Sequence, residues 1–143
     1  MTDKQLKTLV ILFKTEKNLR KQIKISLENT GLTVNEFAAL EALYNKGKIS
    51  VNQLISYVLI PNSSMTYVIE SLKKKGYIEQ CPLEDDNRVK LISISERGQN
   101  IFTKAYDVHY TYMRQKFDVL SVEEEKTLQT LLKKLGRNLE GGQ

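Results

Sequence analysis

Residues 63–98 run from a helix-forming segment that closes on Lys73-Lys74-Lys75-Gly76 into two β-prone segments, 77–81 and 89–94. The two segments are joined by Pro82-Leu83-Glu84-Asp85-Asp86-Asn87-Arg88, a run of turn formers. A helix followed by a hairpin restricts what the rest of the chain can do, because neither element is stable alone and the helix has only one apolar stripe to offer. At about 100° per residue, Met65, Val68, Ile69 and Leu72 fall within one arc of that helix. The opposite side is thereby left to Ser63, Tyr67, Glu70 and Lys74, flanked by Thr66 and Ser71.

Helix-start signals surround this segment. Thr33 with Glu36, Ser50 with Gln53 and Ser121 with Glu124 each have the spacing at which a hydroxyl and a carboxyl or amide satisfy the free amides of a first helical turn. They predict helices over 34–45 and 51–59 and a last helix carrying Leu128, Leu131, Leu132, Leu135 and Leu139. Between the first two, Lys46-Gly47-Lys48 is a turn and Ile49 is available for a short strand. Pro61 suits the first turn of the next helix, where a fixed φ helps and a missing amide is harmless, and that helix reaches about residue 75. Long helices are expected at 3–29, with Leu6, Leu9, Val10, Phe13, Ile23 and Leu27 mostly on one side, and at 95–117. The expected class is mainly α with a small β-hairpin.

At 143 residues the chain holds one domain's worth of core. No apolar run nears the roughly 20 residues a bilayer crossing needs, and the first residues lack a secretory pattern, so the expectation is a cytoplasmic protein without membrane partners. The net charge of +5 suggests nucleic acid, but its distribution matters more. Lys and Arg number seven against three Asp and Glu in residues 1–31, seven against seven in 32–95, and eight against seven in 96–143. The segment holding the helix and hairpin is neutral, so DNA contact there has to rest on where individual charges point.

Small hydroxyls let a helix backbone approach base edges, and a glutamate can accept from cytosine N4. A short capped helix, then this helix, then a hairpin is the order in which a winged helix-turn-helix meets DNA, with the second helix in the major groove. In the hairpin loop Arg88 is the only arginine between Arg20 and Arg97, and Asp86 two residues earlier is able to orient its guanidinium. Lys73, Lys74, Lys75 and Lys90 offset Glu84 and Asp85 locally.

Ser63-Ser64-Met65-Thr66, Leu72-Lys73-Lys74-Lys75-Gly76-Tyr77-Ile78-Glu79, and Asp86-Asn87-Arg88 followed by Leu91-Ile92-Ser93-Ile94-Ser95-Glu96-Arg97-Gly98 resemble the MarR family of bacterial transcriptional regulators. The resemblance spans essentially the whole chain. It implies a winged helix-turn-helix homodimer in which 1–31 and 96–143 form the dimerisation helices and 32–95 the DNA-binding lobe. It further implies a double-stranded operator contacted by Asn62, Ser63, Ser64, Thr66, Tyr67, Glu70 and Lys74, with Asp86, Asn87, Arg88 and Lys90 on the wing. Tyr67 stands where many relatives look basic, and Gln80-Cys81 replace residues that are often arginine, which points to weaker binding or a less usual site.

Apolar stripes on the first and last helices exceed what a winged-helix core can bury, so a second copy is the economical cover, with a long monomeric bundle as the alternative. The helix over 95–117 is dense in aromatic side chains, most of them suited to packing. Because the resembled family often binds small aromatic or phenolic effectors, Phe13, Phe37, Tyr106, His109 and Tyr110 are candidates to line such a site. Cys81, the only cysteine, is either an incidental strand residue or a redox-sensitive one beside the wing. His109, the only histidine, has no companion at ligand spacing, and no metal or other cofactor is expected. One histidine, one cysteine and no phosphate-cradling glycine loop argue against an enzyme. The reading is therefore a ligand- or stress-responsive repressor, and the alternative is a winged-helix module that binds protein instead of DNA.

Overall fold

The computed structural model describes residues 6–58, 62–83 and 86–141, with the backbone alone for 62, 63, 82, 83 and 86–89. Among the described residues the order is α1 (Lys7–Ser26), α2 (Val34–Lys46), β1 (Ile49–Ser50), α3 (Val51–Tyr57), α4 (Asn62–Lys74), β2 (Ile78–Leu83), β3 (Asp86–Ile94), α5 (Glu96–Phe117) and α6 (Val122–Glu140). These form two compact units, Met1–His109 and Tyr110–Gln143, and no described helix is long and apolar enough to cross a membrane.

Short-range polar pairs set the helix starts. All three capping boxes form: Thr33 with Glu36, Ser50 with Gln53, and Ser121 with Glu124 each exchange a backbone N–H for a side-chain oxygen in both directions. At α1 the helix stops at Ser26, and the chain turns through Gly31 at φ +85°. Helix α3 ends at Tyr57, short of the expected residue 59, because Val58 already has extended backbone. The helix start expected at Pro61 lies outside the described residues.

The sheet is antiparallel in the order β1-β3-β2, so the short strand expected at Ile49 joins the hairpin by pairing with Ile92. The hairpin differs from expectation. Its strands reach Leu83 and start again at Asp86, so the backbone of Asp86, Asn87 and Arg88 belongs to β3 rather than to a loop. Pro82 is tolerated in β2 because that strand is an edge and loses no ladder bond on its outer side. Past the Pro82↔Lys90 pair the register jumps to Leu83↔Asp86, an irregularity of the ladder that takes up the additional residues of β3.

In the first unit the core is broader than residues 32–95. Leu27 after α1, Leu40 and Leu43 of α2, Leu54 of α3, Met65 and Leu72 of α4, Ile92 of β3, and Phe102 and Ala105 of α5 bury together. The lobe thus draws on both flanking helices, since their ends carry apolar residues that its own short elements cannot cover. Ser95 fastens α5 to the turn after α4: its hydroxyl donates to the Gly76 carbonyl at 2.6 Å and accepts from the Gly98 N–H at 3.0 Å. A side chain at Gly98 would meet the Tyr77 carbonyl oxygen at 2.0 Å, which explains a glycine one turn into a helix.

The second unit holds the end of α5 and α6. Arg114 binds Asp118 one turn on at 3.0 Å and also Glu125 in the first turn of α6. No residue of α6 is buried.

Candidate nucleic-acid interface

Helix α4 separates its faces as its periodicity requires. Met65, Val68, Ile69 and Leu72 are buried in the first unit's core. Thr66, Tyr67, Glu70 and Lys74 are exposed, Tyr67 to 77% of its surface. Ser64 is half-buried at the margin, and the side chains of Asn62 and Ser63 lie outside the described residues. Glu70 pairs with Lys73 at 3.4 Å, while Lys73 also donates to Gln80 Oε1 of β2 at 2.8 Å. That contact ties the exposed margin of α4 to the hairpin.

Glu36 does more than cap α2. The residue is 3% exposed, and while Oε1 accepts from the Thr33 N–H, Oε2 accepts from the Ser71 hydroxyl at 2.7 Å and the Lys75 ammonium at 2.9 Å. Burial by itself pushes this carboxyl up, but the Lys75, Thr33 and Ser71 donors together outweigh it and hold the group below its ordinary value. Ser71, which the wheel sets beside the outward face, is thus turned to α2. The capping spacing announces Glu36, but its two partners, Ser71 on α4 and Lys75 just after it, are 35 and 39 residues away and leave no local signal.

On the hairpin, Lys90 is exposed, and the side chains of Asp86, Asn87 and Arg88 lie outside the described residues. Cys81 is a free, exposed thiol on β2, opposite Leu91. No group of three or more His, Cys, Asp or Glu able to hold a metal occurs among the described residues.

Of the residues considered for an effector, the structure brings three together. Phe37 is buried, with its ring 5.0 Å from that of His109 and 6.5 Å from that of Tyr106 in near-parallel stacking. His109 Nδ1 lies 2.8 Å from Ser26 Oγ, whose own hydroxyl donates to the Ile23 carbonyl, and burial pushes the imidazole below its ordinary value. An open cleft of about 390 Å³ beside this cluster is lined by Glu41, Tyr44, Asn45, Phe102, Thr103, Tyr106 and Asp107. Burial pushes the Glu41 carboxyl at its edge up. Phe13 does not join the cluster and is 64% exposed on α1, and Tyr110 belongs to the second unit, where it is exposed. Tyr44 was missed as a cleft residue because only its neighbours in space distinguish it from an ordinary core aromatic.

Known proteins share this organisation. The MarR family profile matches residues 30–88. The HTH-type transcriptional regulator MhqR of Bacillus subtilis (strain 168) is 30% identical over 138 residues, covering 96% of this chain and 95% of its own. Among solved structures, the MarR family regulator Sco3205 of Streptomyces coelicolor in complex with DNA superposes with a TM-score of 0.83 at 18% identity, over 94% of this chain and 90% of that one. An organohalide-sensing transcriptional regulator in its 2,4-dichlorophenol-bound form superposes with a TM-score of 0.81 at 20% identity, over 94% and 81% of the two chains.

Proposed function

Because this chain belongs to the MarR family of DNA-binding transcriptional regulators, we propose that it acts as a homodimeric repressor on a near-palindromic operator and responds to a small aromatic or phenolic effector. The observation that carries this is the division of α4, whose apolar stripe is fully used inside the lobe while Thr66, Tyr67, Glu70 and Lys74 stand outward. In this reading α4 enters the major groove, Ser63, Ser64, Thr66 and Tyr67 read base edges, and Asn62, Lys74 and Lys90 anchor phosphates. Asp86, Asn87 and Arg88 serve the wing. Affinity comes chiefly from phosphates and specificity from the face of α4.

Homodimerisation is supported by the exposed apolar residues of α1, among them Leu9, Val10 and Phe13, and of α6, among them Leu131 and Leu132. Residues 1–31 and 96–143 supply the dimer and 32–95 the DNA-binding lobe. Two-fold symmetry then sets the recognition helices about one DNA turn apart, roughly 34 Å. The cleft beside Tyr44, Phe102 and Tyr106 has the aromatic lining a phenolic ring would use, and a structurally similar regulator was solved with 2,4-dichlorophenol. Effector binding would release DNA by moving the two recognition helices off their spacing.

The neutral charge of residues 32–95 favours a second reading, a winged-helix module that docks on protein. Binding to the DNA upstream of the chain's own gene, measured across a salt series, separates the two. A regulator loses affinity linearly in log salt as phosphate contacts release counterions. An absent or salt-independent interaction would refute it.

A further inference from the structure

We propose that Glu36 is a positioning residue for DNA recognition, fixing the roll of α4 about its own axis and so selecting which of its side chains face the duplex. This rests on the reading of α4 as the recognition helix. The apolar stripe of α4 attaches it to the core, but apolar contact is non-directional and sets rotation only loosely. Ser71 lies in the last turn of α4 and Lys75 directly follows the helix, its backbone N–H donating to the Ser71 carbonyl at 3.1 Å, so both anchors sit at the C-terminal end of α4. Tyr67, four residues before Ser71, lies on the exposed face. Both anchors end on one carboxylate oxygen, Glu36 Oε2, at 2.7 and 2.9 Å.

The oxygen is itself held. Glu36 is 3% exposed, and its other oxygen accepts the Thr33 N–H at 3.0 Å in the cap of α2. A short, rigid connection therefore runs from the first turn of α2 to the margin of α4, and directional hydrogen bonds to a charged acceptor do what the apolar stripe does not. No residue in this chain of contacts needs to touch DNA.

Glu36→Gln tests this selectively. A glutamine still accepts from Thr33, and the Ser71 hydroxyl can adapt, but its amide cannot accept from the Lys75 ammonium while presenting a donor there. Full-length protein would be titrated with a duplex selected from a random pool by the wild type, and with unselected duplex, across a salt series. The expected result is a fall of about 10-fold in affinity for the selected duplex, with unselected duplex little changed and the salt slope unaltered, since no phosphate contact is lost. Ser71→Ala should lower the selected-to-unselected ratio about 3-fold, the share of one hydrogen bond, and Ser71→Thr should restore it. Should Glu36→Gln fail to fold, the Ser71 pair decides alone.

A selected-to-unselected ratio that stays at the wild-type value in these variants, even with lowered thermal stability, would overturn the proposal and leave Glu36 a structural residue only. A wild type that fails to discriminate the two duplexes would instead refute the recognition role of α4, and this inference with it.

Discussion

Helices α4 and α6 look alike as sequences and end in opposite situations. Each carries an amphipathic stripe, Met65, Val68, Ile69 and Leu72 in one and Leu128, Leu131, Leu132 and Leu139 in the other. The first stripe is buried, with Leu72 fully enclosed, whereas Leu131 is 57% exposed and no residue of α6 is buried. Periodicity tells which side of a helix wants cover. It does not tell whether the same chain supplies it. For α4 the cover is intramolecular and leaves the opposite face exposed; α6 has no buried residue, and a second copy is the cover proposed above.

The sharpest way to break the comparison is to empty each stripe. Leu72→Ala should destabilise the first unit by about 2–5 kcal/mol, read as a lower midpoint in denaturant unfolding, because it opens a cavity in a closed core. An effect under about 1 kcal/mol would mean the stripe is loosely packed. Leu132→Glu should leave helical content unchanged but weaken self-association by about 2 kcal/mol or more, roughly 30-fold, as measured by sedimentation over a concentration series. Unchanged association would remove α6 from the dimer.

Effects on the outward face of α4 should be smaller and confined to DNA. Tyr67→Ala is expected to lower discrimination between selected and unselected duplex by about 1–2 kcal/mol, with stability within about 0.5 kcal/mol of wild type. A change in stability without a change in discrimination would make Tyr67 a packing residue. The smallest effect concerns pH. Glu36 has a folded value below its ordinary 4.5, so the stability it contributes is present above that pH and is lost as pH falls through the folded value. Acid unfolding curves of wild type and Glu36→Gln should therefore converge below about pH 4.5 relative to their separation at pH 7. Parallel curves throughout would show that Glu36 has no such linkage.

Reading the sequence worked where both partners of an interaction lie within one helical turn. The three capping boxes are of this kind, while the stripe of α4 was legible from its period alone. The extent of the hairpin was not legible, because Pro82 and Asp86 have poor strand propensity and are held in the ladder by pairing with Lys90 and Leu83. The second role of Glu36 was likewise hidden, since Ser71 and Lys75 come to it through tertiary packing. The aromatic residues of α5 were visible as a group, yet only the fold separates Phe102, Tyr106 and His109 at Phe37 from Tyr110 in the other unit. The charge count places no excess of basic residues in 32–95, so a DNA-contact reading there depends on the direction of single side chains.

Both halves of the comparison meet in the mass of the DNA complex. Sedimentation equilibrium of the full chain with a selected duplex should give two 16.5 kDa chains per duplex, one α4 for each half-site. A single chain per duplex, or no complex at all, would contradict the account.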